Sequence, residues 1–242
     1  AVYVGGWGRM DPNEIHFWLT GLIIIEFALI LLMAVNSAAT AITREREANT
    51  IELVLCTPLS SGYIVYGKLR GLVGFLLPLI LVPTISLLGF ALCDAVLPKA
   101  RTLVLPEAAF ELLLLLVVYA SFACVLGLQM SLRFRRTVQA VAAGVAALIG
   151  VSFSLGACGY GLIGISGSFG ALVAPFTPFT AVSLIVNPAW TLGIDAAAEP
   201  NTVRSLISVG VCLAAGFYAL VVVGMYRTMV RNFDMTLRKQ MA

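Results

Sequence analysis

Four consecutive charged residues, Arg44, Glu45, Arg46 and Glu47, open a segment that runs to Lys68 in an otherwise apolar chain. Such residues can set register with a partner through complementary charge, or anchor a helix end at a water boundary. Beyond them Ile51, Leu55 and Leu59 recur at intervals of four, with Val54 adjacent, while Glu47 and Glu52 fall on other faces. That spacing predicts an amphipathic helix lying on a membrane surface or against a partner. Pro58 ends or kinks it, and Thr57 is placed to cap the next stretch of chain. Glu26 is the other residue that carries chemistry. It lies within an apolar run, where an acid costs roughly 2.5–3.5 kcal/mol on insertion scales. It reads either as a carboxylate in a substrate or proton pathway, or as a hydrogen-bonded packing acid.

Other chemistries find little support. The single histidine, His16, has no neighbouring ligand pattern, and the five cysteines, Cys56, Cys93, Cys124, Cys158 and Cys212, have no CxxC spacing. They read as packing residues, so no metal site is expected. Gly67-Lys68 lacks the rest of a GxxxxGK[ST] phosphate loop. No catalytic residue and no bound cofactor are expected on this chain, and nothing points to nucleic acid.

The elements that must position these residues are set by hydropathy. The chain is 60% hydrophobic and 11% charged, with mean hydropathy +1.01, against about 25% charged residues in a soluble domain. Its apolar runs are continuous for about 20 residues, the length of a membrane-spanning helix. They do not alternate as barrel strands do. Spans are expected at about Phe17–Ala41, Leu69–Leu92 (with Pro78 and Pro83 as kinks), Ala108–Leu132, a fourth starting after Thr137, and Val203–Tyr226. The fourth is rich in Gly and Ala, which permit close helix approach in lipid.

Positive charge concentrates at Arg44, Arg46, Lys68 and Arg70, at Arg133, Arg135 and Arg136, and at Arg227, Arg231, Arg238 and Lys239. The positive-inside rule puts these three sites in the cytoplasm, with the C-terminal tail. The stretch 157–187 then crosses either twice or not at all. It is too short for two spans and is broken by glycines and by Pro175 and Pro178. A re-entrant helical hairpin is the economical solution. The expected fold is an all-α membrane protein, one domain over 1–242. It has five spans, a re-entrant segment 157–187 before the last, and a cytoplasmic amphipathic segment 43–68.

The order of residues in that segment resembles the type-two ABC exporter permeases, whose cytoplasmic loop carries Glu-x-Glu-x-x-Thr-x-Glu-x-x-Leu-x-Thr-Pro-Leu and then Gly-Lys. The matching positions are Glu45, Glu47, Thr50, Glu52, Leu55, Thr57, Pro58, Leu59, Gly67 and Lys68; Asn49 stands where the family often has Gly. The resemblance also covers the layout, including a broken segment with Pro motifs like Ala174-Pro175-Phe176-Thr177-Pro178-Phe179. It implies a multi-pass permease of the cytoplasmic membrane, working as a homo- or heterodimer. ATP and Mg would be handled by separate ATPase subunits. Arg44, Glu45, Arg46, Glu47, Thr50, Glu52, Leu55, Thr57 and Pro58 would form the coupling helix that meets the ATPase. In the family this loop comes after the second span, whereas here it comes after the first. The chain is therefore expected to lack an upstream helix. Two other readings stay open: a non-transporting membrane subunit of a larger complex, and a secondary transporter using Glu26.

Overall fold

Along the first helix, α1 (Pro12–Glu47), the buried residues are Leu19, Ile23, Phe27, Ile30, Leu31, Ala34, Val35, Ala38, Ala39 and Ile42. Their spacing of three and four residues is one face of a helix. The opposite face exposes Phe17, Trp18, Leu22, Ile25, Leu29 and Met33. A helix that is apolar all round, with one face outward, belongs in lipid. The computed structural model describes residues 12–48, 61–96, 107–165, 167–188, 191 and 200–241. Within helices it leaves aside the side chains at 12, 13, 15, 61, 93–96, 162–165, 167–169, 200–203 and 232–241.

After α1 come α2 (Ser61–Val96), α3 (Ala108–Arg133), α4 (Thr137–Ile165), α5 (Gly167–Val173), a 3-10 turn (Ala174–Phe176), α6 (Pro178–Val186) and α7 (Pro200–Met241). No strand occurs among the described residues. Among the described residues five helices are long and apolar enough to cross a membrane: His16–Glu47, Gly62–Leu92, Ala108–Arg133, Thr137–Gly161 and Arg204–Arg231. All five expected spans are therefore present, and the chain is a multi-pass α-helical membrane protein. Pro78 and Pro83 both lie inside α2 without ending it. Near the second, Thr84 and Ser86 donate back to the carbonyls of Ile80 and Val82.

Helix α3 is the hub. Two thirds of its apolar window is buried (67%), against 39% or less for the other four. It packs against α1, α2, α4, α6 and α7. Gly127 permits a close approach to α1. A Cβ there would lie 2.6 Å from the carbonyl oxygen of Val35 and 2.8 Å from Cβ of Ala38. Small residues at a crossing let dispersion accumulate where lipid offers no hydrophobic drive.

The stretch before α7 differs in detail from the sequence-based boundary. Helix α4 continues to Ile165, through Gly159, Gly161 and Gly164, where the glycines alone predict a bend from residue 157. The described interruption falls at the prolines, between α5 and α6. There every carbonyl from Ala174 to Thr177 has a partner. Ala174 O accepts from Thr177 N at 3.3 Å and from Thr180 Oγ1 at 2.5 Å. Pro175 O accepts from the Tyr119 hydroxyl of α3. Phe176 O accepts from the Tyr218 hydroxyl of α7 at 2.8 Å. Thr177 O accepts from Ala181 N at 2.9 Å, which starts α6, and the Thr177 side chain caps that helix through Thr180 N.

Tyr119 and Tyr218 sit near the middle of their apolar helices. Their rings meet edge to face at 4.9 Å, and Phe27, Phe122 and Phe217 extend the cluster. Non-helical backbone far from water survives only when neighbours satisfy it, and these two hydroxyls do so. Gly210 lets α7 close on α5, since a Cβ there would lie 2.7 Å from the carbonyl oxygen of Ala171.

Candidate functional site at the charged end of the bundle

One end of the bundle collects the C-terminus of α1, the start of α2, the elbow between α3 and α4, and the later turns of α7, where Val230 approaches Gly62. The other end holds the ion pair of Glu107 with Arg204 at 2.5 Å. One turn further in, Glu111 is buried and accepts from Ser208 at 2.5 Å. Glu111 is thus turned inward against α7, although its position near a helix end suggests the interface.

The last turn of α1 is tied to three neighbours. Ser131 of α3 accepts from two backbone donors of α1, Ile42 N and Thr43 N, both at 3.1 Å. Those amides already point up the helix, so the hydroxyl adds an inter-helix acceptor at a fully buried site. Lys68 of α2 donates to Ala41 O at 2.9 Å and to Glu45 at 2.5 Å. Both partners of this ion pair are partly covered, with side-chain exposures of 18% and 35%, so it is less screened than a surface pair. Arg46 donates through Nη1 to Phe134 O at 2.9 Å, the carbonyl just past the end of α3. Glu47 accepts from Thr137 N at 2.8 Å, which is the first amide of α4. A carboxylate there satisfies an orphan donor and meets the positive end of the helix dipole.

These contacts bring Arg46 and Glu47 to the α3–α4 elbow and Glu45 to α2. Arg44 is exposed on the outer side of the turn, and its carbonyl closes the helix through Ala48 N at 3.0 Å. Thr50, Glu52, Leu55, Thr57 and Pro58 lie outside the described residues, as does the expected amphipathic helix they belong to. Ser131, Phe134 and Thr137 do not stand out in the sequence. The one signal available for Thr137 is its place after two arginines, where a helix could start. Nothing marks Ser131.

Glu26 is half-buried on α1, between the buried residues Ile23, Phe27 and Ile30. Its Oε2 is shielded and has no hydrogen-bond partner. It lines neither of two apolar clefts in the bundle. The larger, of about 420 Å³, lies between Ala28, Leu31 and Leu32 of α1, the Leu148–Tyr160 stretch of α4, and Phe179 and Thr180 of α6. The other, of about 350 Å³, lies between α2 and α3, with Val222 of α7. Among the described residues no group of three or more His, Cys, Asp or Glu could hold a metal ion. Of the cysteines described, Cys124 is buried, while Cys158 and Cys212 are exposed.

Comparison with protein-family models, with curated proteins and with solved structures finds no match to this chain.

Proposed function

We propose that the chain is the membrane permease subunit of an ATP-driven transporter, of the type-two ABC exporter kind, and that the segment Arg44–Pro58 couples it to a separate ATPase subunit. One observation carries this reading. The residues that match the family's loop begin on a helix end that is bonded to α2, α3 and α4 at once. A partner that moved this end would move the base of the bundle as a block. A simple connector between two spans needs no such bracing.

The proposed topology has five crossings, with the basic end in the cytoplasm. Its support is the arginine distribution together with helix polarity. The ends of α1, α3 and α7 and the starts of α2 and α4 share the end that carries Arg44, Arg46, Lys68, Arg135, Arg136, Arg227 and Arg231. On this reading the chain leaves α4 and enters α7 on the opposite side. Helices α5 and α6 have 7 and 9 residues, well short of the ~20 that a span needs. A re-entrant passage, turning at the tyrosine-held prolines, satisfies both conditions. ATP and Mg belong to the partner, and a second permease subunit would complete the assembly.

The test is co-purification with an ATPase encoded beside this chain, comparing wild type with Glu47→Arg plus Glu52→Arg. Loss of association or of coupled hydrolysis is expected. Intact association and coupling in the double reversal would refute the assignment.

A further inference from the structure

Helices α1 and α4 touch in a particular order. At the charged end Glu47 accepts from Thr137 N at 2.8 Å. Next comes a crossing in ordinary van der Waals contact: a Cβ on Gly144 would lie 3.5 Å from Cγ2 of Val35 and 3.9 Å from both Cβ of Ala39 and Cγ of Met130 on α3. About one turn beyond that crossing the larger cleft begins, with Leu32 and Leu31 on α1 and Leu148 and Ile149 on α4. From tie to crossing is ~18 Å along α1 and ~10 Å along α4, at 1.5 Å per residue. The two helices have the layout of a pair of scissors, with a polar tie at the handles, a glycine pivot, and an apolar cleft between the blades.

We propose that Glu47 is a positioning residue for α4, and that its bond to Thr137 N sets the width of the α1–α4 cleft through the pivot at Gly144. The consequence is mechanical. The pivot is an apolar van der Waals contact of Gly144 with Val35 and Ala39, with no polar bond to break on rotation, whereas the tie is a charge-assisted hydrogen bond. Releasing the tie leaves the handles joined through Arg46 and the α3–α4 elbow, so the start of α4 shifts within that limit and the separation of the blades shifts with it. Under the transporter reading, from which only the driving force is taken, the partner that engages Arg44–Pro58 acts on the cleft by this route. The tie and the lever themselves need no partner and are measured without one.

The experiment uses the full chain in lipid nanodiscs with the native cysteines replaced. Spin labels are placed on two pairs of exposed positions: Ala48 with Val138, across the tie, and Leu29 with Val151, beside the cleft. Thr137→Pro removes the donor while leaving Glu47 in place, and proline suits the first position of a helix. Thr137→Ser keeps the donor and serves as the folding control. The expected result is a broader Ala48–Val138 distribution in Thr137→Pro and a shift of about 2 Å or more between Leu29 and Val151, the scale of helix shifts in switching proteins. Thr137→Ser should match wild type. Glu47→Ala should reproduce Thr137→Pro, with no further change when the two are combined. An unchanged first pair would show that the bond does not hold the handles. A changed first pair with an unchanged second would show that the pivot does not transmit. Either result overturns the proposal and leaves the ATPase assignment standing, because that assignment is read from association.

Discussion

The hydroxyl of Tyr218, on the last span, donates to the carbonyl oxygen of Phe176 at 2.8 Å, and Tyr119 on α3 does the same for the neighbouring Pro175. Two spans far apart in sequence thereby complete the hydrogen bonding of a segment that cannot complete its own. Replacing either tyrosine by phenylalanine keeps the ring cluster and orphans one carbonyl. Each single change should lower unfolding free energy in detergent by roughly 1 kcal/mol, and the double change by more than either. Thermal unfolding followed by fluorescence measures this. Wild-type stability in the double variant would mean that these bonds contribute nothing.

Gly127 and Gly210 should be intolerant of even one methyl group. Their added Cβ atoms would meet backbone oxygens at 2.6 and 2.7 Å, and backbone does not yield cheaply. Gly127→Ala and Gly210→Ala are expected to cost about 1–3 kcal/mol each, the usual penalty of overpacking. Gly74→Ala, with nothing within 4 Å of the new atom, should be neutral or mildly stabilising. Equal behaviour of all three in a melting assay would contradict the described crossings.

For the Lys68–Glu45 pair the expected effect is modest, because both side chains keep some exposure. Lys68→Met should cost on the order of 1 kcal/mol, since it also removes the donor to Ala41 O. The exchange Lys68→Glu with Glu45→Lys should recover only part of that loss, as the carbonyl remains without its donor. A double-mutant cycle separates the two contributions, and a coupling energy of zero would remove the ion pair from the account.

Glu26 offers a prediction of opposite sign. A shielded oxygen without a partner weakens the fold that contains it, so Glu26→Leu should raise unfolding free energy by about 1–3 kcal/mol. Destabilisation instead would mean that the carboxyl is satisfied by something the isolated chain does not supply. Retention of transport in this variant would also dismiss the secondary-transporter reading.

Topology has its own check. Single cysteines at Asn49 and Asp195, in a background without native thiols, should react with an impermeant reagent from opposite sides of the membrane. Labelling of both from one side would overturn the five-crossing arrangement.

The spans are legible because hydropathy is a bulk property: an uninterrupted run such as Leu112–Val118 leaves a helix in lipid as the simplest solution. Positive charge likewise marks one end of the bundle before any contact is known. The illegible part is pairwise. Nothing in the sequence links Tyr119 to Pro175, or Ser131 to Ile42, since each bond joins residues far apart in the chain. A tyrosine in the middle of an apolar run is the one available hint, because a buried hydroxyl requires an acceptor. The glycines mislead for the opposite reason. Gly159, Gly161 and Gly164 look like breaks in water, but α4 runs through them. A helix keeps its own hydrogen bonds, and lipid supplies no competing partner.

The central place of α3 bears on how the chain is made. Synthesis delivers α1 and α2 before α3, yet both pack against α3. Until it arrives, the small residues Ala38 and Ala39, against which Gly127 packs, have only lipid or the insertion machinery to face. Ribosomal order and packing order therefore disagree for these two spans, and a truncation that stops before Ala108 should yield helices that insert and meet only each other, without the α3 contacts.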